Sequence, residues 1–310
     1  WRPSWLDKLP GIFVSTFLRR QNEARFKRDL HGEVHTYSEE YGLKVHIMRA
    51  HHAAASSSAE PLSCSQSSQP SDSAAATSSN KKPGCVVFLA GGGYLAGGPA
   101  QFYPYFRAVS KEFGVVAAGC EYRSLLTHPR HKIPFDAEKD ARRCVKFLQD
   151  NAEELGLDKS RFVLVGASSG GHLASMTALR DDVGLGLAGL VLFNPVLDLH
   201  FADGWLQRPR MIRLMSSMLQ RLYGQEAIKE HSPLHKVRHL PYPTLIMHGT
   251  ADRLTPLSEA EAFKEQLRSS GSPCTLIPFP GGEHRFFNFR VSPLNFSKCL
   301  AFLGDFLSTV

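Results

Sequence analysis

The 310 residues hold no uninterrupted apolar run near the roughly 20 residues that a membrane-spanning helix requires. The longest apolar stretches are short and end in turn residues, so stable membrane insertion is not expected. Gly11 to Leu18 is too short to span and runs into Arg19-Arg20. Metal-ligand spacing is missing too: the six cysteines form no cluster with one another or with histidine. Cys85 and Cys120 fall inside apolar runs, Cys144 on a helix and Cys274 at a strand start, and all four read as small hydrophobes. A chain of this length buries a large core without a disulfide or metal. Around Gly91 to Gly98 there is no Gly-x-Gly-x-x-Gly, and nowhere a Gly-Lys-Ser/Thr, which excludes a dinucleotide fingerprint and a P-loop. Acidic residues are in modest deficit, 29 against 36 Lys and Arg, giving a formal charge of +7. The cations are scattered and pairs such as Lys81-Lys82 are short, so they read as a solvated surface; no nucleic-acid module accompanies them. Because the chain begins with Trp1 rather than Met, the true start is expected to be missing or processed, with any targeting signal upstream. Compartment and oligomeric state stay open.

What is present is an alternation of strand and helix signals. Glu33 to Tyr37 and Leu43 to Arg49 read as an antiparallel pair about a turn at Glu39 to Gly42. Residues 53–80 are rich in Ser and Ala with almost no large apolar side chains. Such a stretch cannot offset its ordering entropy and reads as a disordered insertion between two strands. Strands are then expected at Cys85 to Leu89, Val115 to Tyr122, Arg161 to Val165, Leu190 to Asn194, Thr244 to His248 and Thr275 to Phe279. Helices fit at Phe102 to Phe113, Asp136 to Leu155, from Ser169, at Glu259 to Ser269 and at Asn295 to Leu307. Apolar runs without alternation indicate strands buried on both faces. The reading is an α/β fold: a mostly parallel twisted sheet, helices on both faces, and ligands at the carboxyl ends of the strands. Residues 1–32 are expected as an N-terminal helical arm and 33–310 as one domain.

The strongest local signal is Gly166-Ala167-Ser168-Ser169-Gly170-Gly171, directly after the strand ending at Val165. A nucleophile on a sharp strand-to-helix turn needs small residues two before and two after it. Ser168 has glycine at both flanks. Ser169 is a rival if the frame shifts by one; otherwise its backbone N–H should donate to an oxyanion. The second signal is Ala90-Gly91-Gly92-Gly93-Tyr94, where glycines let N–H groups turn toward a ligand. Asp252 stands four residues beyond the strand end at His248. His284 follows the last strand on a glycine-rich loop that can reach over the sheet. His248 is a rival base but reads as structural, as does His172. Serine, aspartate and histidine occur in this order along the chain, an order distinct from those of chymotrypsin and subtilisin.

These motifs resemble the hormone-sensitive-lipase-like group of the α/β-hydrolase fold, and within it the acetyl-xylan and feruloyl esterase-like members. Further matches are Glu121-Tyr122-Arg123, Ile133-Pro134-Phe135-Asp136-Ala137 with Asp140, and Gly170-Gly171-His172-Leu173-Ala174. The resemblance covers Cys85 to the C-terminus. It implies Ser168, Asp252 and His284 as a catalytic triad, and the amides of Gly92, Gly93 and Ser169 as the oxyanion hole. Two positions depart from the group: Ala90 stands where a histidine is usual, and Ser124-Leu125-Leu126 where Leu-Ala-Pro is more frequent.

The implied reaction is hydrolysis of small acyl esters, acetyl-type above all, through an acyl-enzyme, with a small-molecule substrate and no metal or organic cofactor. Alternatives are a serine peptidase or amidase of the same fold and a non-catalytic binding protein on it. Residues 197–233 read either as a helical cap, whose Phe201, Trp205, Met211, Met215, Met218, Leu222 and Tyr223 would shape the pocket, or as a peripheral helix pair with one buried face.

Overall fold

The computed structural model describes residues 11–50, 82–96, 98–180, 184–200 and 209–310, without the side chains of 11–19 and 211. Residues 1–10, the expected disordered insertion at 53–80, and Phe201 and Trp205 of the expected cap lie outside them. Eight strands are present: β1 (Glu33–Ser38), β2 (Leu43–Met48), β3 (Cys85–Leu89), β4 (Val116–Cys120), β5 (Phe162–Ala167), β6 (Leu187–Phe193), β7 (Thr244–Gly249) and β8 (Cys274–Phe279). They form one sheet in the order β1-β2-β4-β3-β5-β6-β7-β8. Both contacts of β2 are antiparallel, and all pairs from β4 to β8 are parallel.

The unbroken apolar runs have a direct cause, because successive side chains point to opposite faces. Along β5, Phe162 and Leu164 enter one core while Val163 and Val165 enter the other. β3 divides Cys85, Val87 and Leu89 from Val86 and Phe88 in the same way. Each face is covered by helices. On one lie α3 (Phe135–Asp150), α4 (Ser169–Leu179) and α7 (Leu257–Ser269), through residues such as Ala141, Leu173 and Phe263. On the other lie α1 (Gly11–Leu30), α2 (Tyr103–Glu112) and α8 (Pro293–Ser308), through Phe26, Phe106 and Leu303.

Element ends differ from expectation where polar groups intervene. α3 stops at Asp150 rather than near Leu155, where the Asn151 side chain donates to the Phe147 carbonyl at 2.8 Å and turns follow. α2 begins at Tyr103, behind a short 3-10 turn at Pro99–Phe102.

One expectation is corrected. Cys120 and Cys144 are not separate small hydrophobes but a disulfide joining the end of β4 to α3, with Cα atoms 6.3 Å apart. The two lie in different elements, 24 residues apart, so no local spacing advertises the pair. Cys85 and Cys299 are buried free thiols, and Cys274 is a half-buried one.

Between β6 and β7 the chain makes an excursion carrying α5 (Arg210–Tyr223) and α6 (Gln225–Glu230). It is closed at its base, where Leu234 N–H donates to the Leu197 carbonyl and Leu199 N–H to Ser232 Oγ, both at 2.9 Å. Leu197 and Leu199 follow the carboxyl end of β6, and α5 is held near it by the Ser216 hydroxyl, which donates to the His200 carbonyl at 3.0 Å, while α6 ends against α4, where Glu230 meets Arg180 at 3.0 Å. Ile212 and Leu219 of α5 are buried toward the core. Met218 and Leu222, expected to shape a pocket, are instead 44% and 63% exposed.

Candidate active site

The turn after β5 puts Ser168 at φ 53, ψ −121, a backbone region that side-chain-bearing residues seldom occupy. Two glycines make the turn sterically feasible. A Cβ at Gly170 would lie 2.0 Å from the Leu89 carbonyl oxygen, and one at Gly166 would lie 2.4 Å from that of Gly170. The turn is then tied down from several sides. Ser168 N–H donates to the Phe193 carbonyl at 3.0 Å, and the Ser168 carbonyl accepts from His172 and Val196 N–H, both at 3.1 Å. Ser168 is thereby held at the N-terminal end of α4, where backbone dipoles favour negative charge.

Loops leaving β7 and β8 bring the partners. Gly249 and Gly282 pack closely, since a Cβ on Gly249 would sit 2.2 Å from the Gly282 carbonyl oxygen. Ala251 N–H also donates to that oxygen at 2.9 Å. The result is a continuous chain of hydrogen-bonded groups. His284 Nε2 lies 2.8 Å from Ser168 Oγ, and its Nδ1 lies 2.7 Å from Asp252 Oδ2. The Ser168 hydroxyl, the His284 ring and the Asp252 carboxylate thus meet above the carboxyl edge, from residues 116 and 32 positions apart in sequence.

Asp252 is buried, and its oxygens are well supplied with donors. Oδ1 accepts from Leu254 N–H at 2.8 Å and Thr255 N–H at 3.1 Å. Oδ2 accepts from Thr255 Oγ1 at 2.8 Å and from Asn194 Nδ2. Burial alone would raise this carboxyl, but its hydrogen bonds to His284 and Thr255 prevail and hold it below the ordinary 3.8. It therefore stays ionised and can stabilise a protonated imidazole.

Asn194 and Thr255 are site residues that the sequence reading missed. Asn194 follows β6, is fully buried, has φ 41, and accepts from Gly249 N–H at 3.2 Å through its Oδ1. A weak signal existed: a single Asn ends an otherwise apolar strand run, Leu190-Val191-Leu192-Phe193, ahead of Pro195.

The glycine loop runs beside the serine. A Cβ on Gly91 would lie 2.8 Å from the Ala167 carbonyl oxygen and 3.1 Å from Ser168 Cβ. Gly92, Gly93 and Tyr94 all have positive φ, at 150, 60 and 60. Two side chains hold the loop where Ala90 replaces the usual histidine. The Tyr122 hydroxyl donates to the Ala90 carbonyl at 2.6 Å, and Gly91 N–H donates to Gln101 Oε1 at 2.7 Å. Ser169 is buried at the first turn of α4.

The rival residues are engaged elsewhere. His248 Nε2 donates to the Thr255 carbonyl at 2.8 Å and stands 3.9 Å from Asp252 Oδ2. His172 Nε2 donates to the His231 carbonyl at 2.6 Å, and its ring packs edge-on against Tyr94. Burial lowers the pKa of both imidazoles. Among the described residues, no group of three or more His, Cys, Asp or Glu could hold a metal ion.

Comparison with known proteins points the same way. Esterase LipC of Mycobacterium tuberculosis is 27% identical over 219 residues, covering 65% of this chain and 52% of that protein. An acetylxylan esterase of Xylanibacter ruminicola is 24% identical over 230 residues, covering 73% of this chain and 45% of that protein. The chain thus spans about half the length of the curated relatives it matches. Among solved structures, the native thermophilic esterase Est2 of Thermogutta terrifontis superposes with a TM-score of 0.69 at 30% identity, covering 89% of this chain and 91% of that one. The same esterase phosphonylated by sarin gives 0.69 at 29% identity, covering 89% and 94%. A family model described as the alpha/beta hydrolase fold matches residues 86–288, a span that takes in Ser168, Asp252 and His284. With most of its length so matched and its sheet in the corresponding arrangement, the chain belongs to the α/β-hydrolase fold family.

Proposed function

We propose that this protein is a serine carboxylesterase acting on small acyl esters through an acyl-enzyme. The observation that carries the reading is the hydrogen-bonded series from Ser168 Oγ through His284 to Asp252 Oδ2. In the first half-reaction His284 Nε2 takes the Ser168 proton as Oγ attacks the ester carbonyl, and Asp252 holds Nδ1–H and the ring's orientation. The amides of Gly92, Gly93 and Ser169 receive the negative charge on the tetrahedral oxygen; one such donor is worth about 3 kcal/mol. His284 then passes its proton to the leaving alcohol. In the second half it draws a proton from water, which attacks the acyl carbonyl; the Oγ–acyl bond then breaks, His284 returns the proton to Ser168 Oγ, and the acid is released.

Residues 33–310 form the hydrolase domain in this reading, with 197–233 as the cover of the site. Small acyl groups fit the acetylxylan esterase relationship. The test is turnover of 4-nitrophenyl acetate together with labelling by a fluorophosphonate. Ser168→Ala should lose both, and Ser169→Ala should keep the label. Turnover surviving in Ser168→Ala would overturn the assignment, and loss of the label in Ser169→Ala alone would move it by one residue.

A further inference from the structure

The exposed large apolar side chains are distributed unevenly about the molecule. Among the described residues, all but Phe302 lie on segments at the carboxyl edge of the sheet, the edge that carries Ser168. Leu95 follows the glycine loop and is 44% exposed, and Leu126 lies beside it, its N–H donating to the Leu95 carbonyl at 3.0 Å. Phe289 and Leu294 follow His284 and are 50% and 68% exposed. The amino edge presents none among the described residues.

α5 is the clearest part of this face. Its buried side is Ile212, Ser216 and Leu219. Its outward side is Arg210, Leu214, Ser217, Met218, Arg221 and Leu222, which recur at the spacing of one helical face. Leu214 and Leu222 are 62% and 63% exposed. A helix that is apolar inward should be polar outward in water. Here the outward row is apolar, is flanked by arginines at both ends, and has no carboxylate anywhere on the helix. The nearest acid on α6, Glu226, is 3.6 Å from Lys229 of its own helix. The His284 loop repeats the composition, with Arg285 and Arg290 exposed around Phe289 and one acid, Glu283, between Gly281 and Leu294.

We propose that this edge docks on an anionic lipid surface. Leu214, Met218 and Leu222 enter the boundary between headgroups and acyl chains, while Arg210 and Arg221 reach the lipid phosphates. The charge decides the occupant: arginines without carboxylates on an exposed apolar row complement anionic headgroups, and two copies of the same row would repel each other. No helix among the described residues is long and apolar enough to cross a membrane, so the attachment is peripheral. It would bring the mouth of the Ser168 site against the lipid.

The test is co-sedimentation of the full chain with vesicles of phosphatidylcholine alone and of phosphatidylcholine mixed with phosphatidylglycerol. The wild type should bind the mixed vesicles, less so at high salt. The triple variant Leu214→Glu/Met218→Glu/Leu222→Glu should bind about tenfold more weakly or less. The thermal melting curve of that variant, measured in parallel, should be unchanged, because all three side chains are exposed. A second variant, Arg210→Gln/Arg221→Gln, leaves the apolar row intact and should lose the preference for anionic vesicles, which keeps the test open if the triple variant fails to fold. Absence of wild-type binding to mixed vesicles would overturn the proposal, as would equal binding by wild type and either variant. A wild-type dimer that the variants dissociate, without vesicle binding, would assign the face to a second copy and overturn it equally.

Discussion

Asn194 Nδ2 donates to Oδ2 of Asp252, the same carboxylate oxygen that faces His284 Nδ1. The amide's other end is fixed by Gly249 N–H. β6 and β7 are neighbours in the sheet, so a residue at the end of one strand sets the carboxylate carried beyond the end of the next.

Removing the amide should act on turnover rather than on substrate binding. A hydrogen bond to a charged group is worth about 1.5–3 kcal/mol, which corresponds to roughly 10- to 100-fold in rate. Asn194→Ala should therefore lower kcat by that range with KM little changed, in steady-state assays. Asn194→Asp would set a second carboxylate against Asp252 and should lose more activity at neutral pH than at mildly acidic pH. Unchanged kcat in both variants would show that Thr255 and the backbone amides suffice.

The elbow makes a steric prediction. Gly170→Ala places a methyl 2.0 Å from the Leu89 carbonyl oxygen, a backbone atom of the central strand β3 that has little room to move. The expected cost is about 3 kcal/mol, seen as a shifted denaturant midpoint, together with loss of turnover. A stable, active Gly170→Ala would mean that the turn relaxes far more readily than its packing implies.

Stability should fall with acidification. His172 and His248 have folded-state pKa values below their ordinary 6.5, with burial the largest cause in each. As pH drops through that value the unfolded chain takes up protons that the folded chain refuses, so unfolding is favoured. Asp252, held below 3.8, adds stability above that pH that is lost only as pH falls through its lower folded value. The melting temperature should therefore decline from about pH 7 to about pH 5. His172→Gln should flatten that decline, if it folds. A melting temperature that rises with acidification would contradict both burial assignments.

The Cys120–Cys144 bridge closes a loop across a sequence separation of 24. Loop-closure entropy for that length is worth about 3 kcal/mol. The double variant Cys120→Ala/Cys144→Ala should lose about that much in denaturant titrations. Because both sulfurs are buried, the native protein should resist thiol reductants until it opens. Equal stability of variant and wild type would show that the bridge constrains the unfolded chain little.

The central strands were legible because their burial on both faces demands unbroken apolar runs, and Cys85–Leu89 could be read to the residue. Ser168 was legible because a sterically crowded turn forces glycine at 166 and 170. Asp252 and His284 could be read from their positions after strands. Their supports could not. Asn194 and Thr255 are single polar residues in loops and Gln101 sits in the short 3-10 turn, and what they touch depends on which strands are neighbours, a non-local fact. The disulfide was hidden for the same reason, since each cysteine sits in a plausible apolar setting of its own. The outward apolar row of α5 misled in another way: periodicity tells which residues share a face, and both faces of this helix are apolar.

The stitch between Leu197–Leu199 and Ser232–Leu234 has an evolutionary corollary. The two hydrogen bonds return the chain to the same point beside β6 whatever the length of the segment between them. Substrate preference can then drift by rewriting that interior, through insertions or wholesale replacement, while the proton-transfer machinery behind it is inherited unaltered.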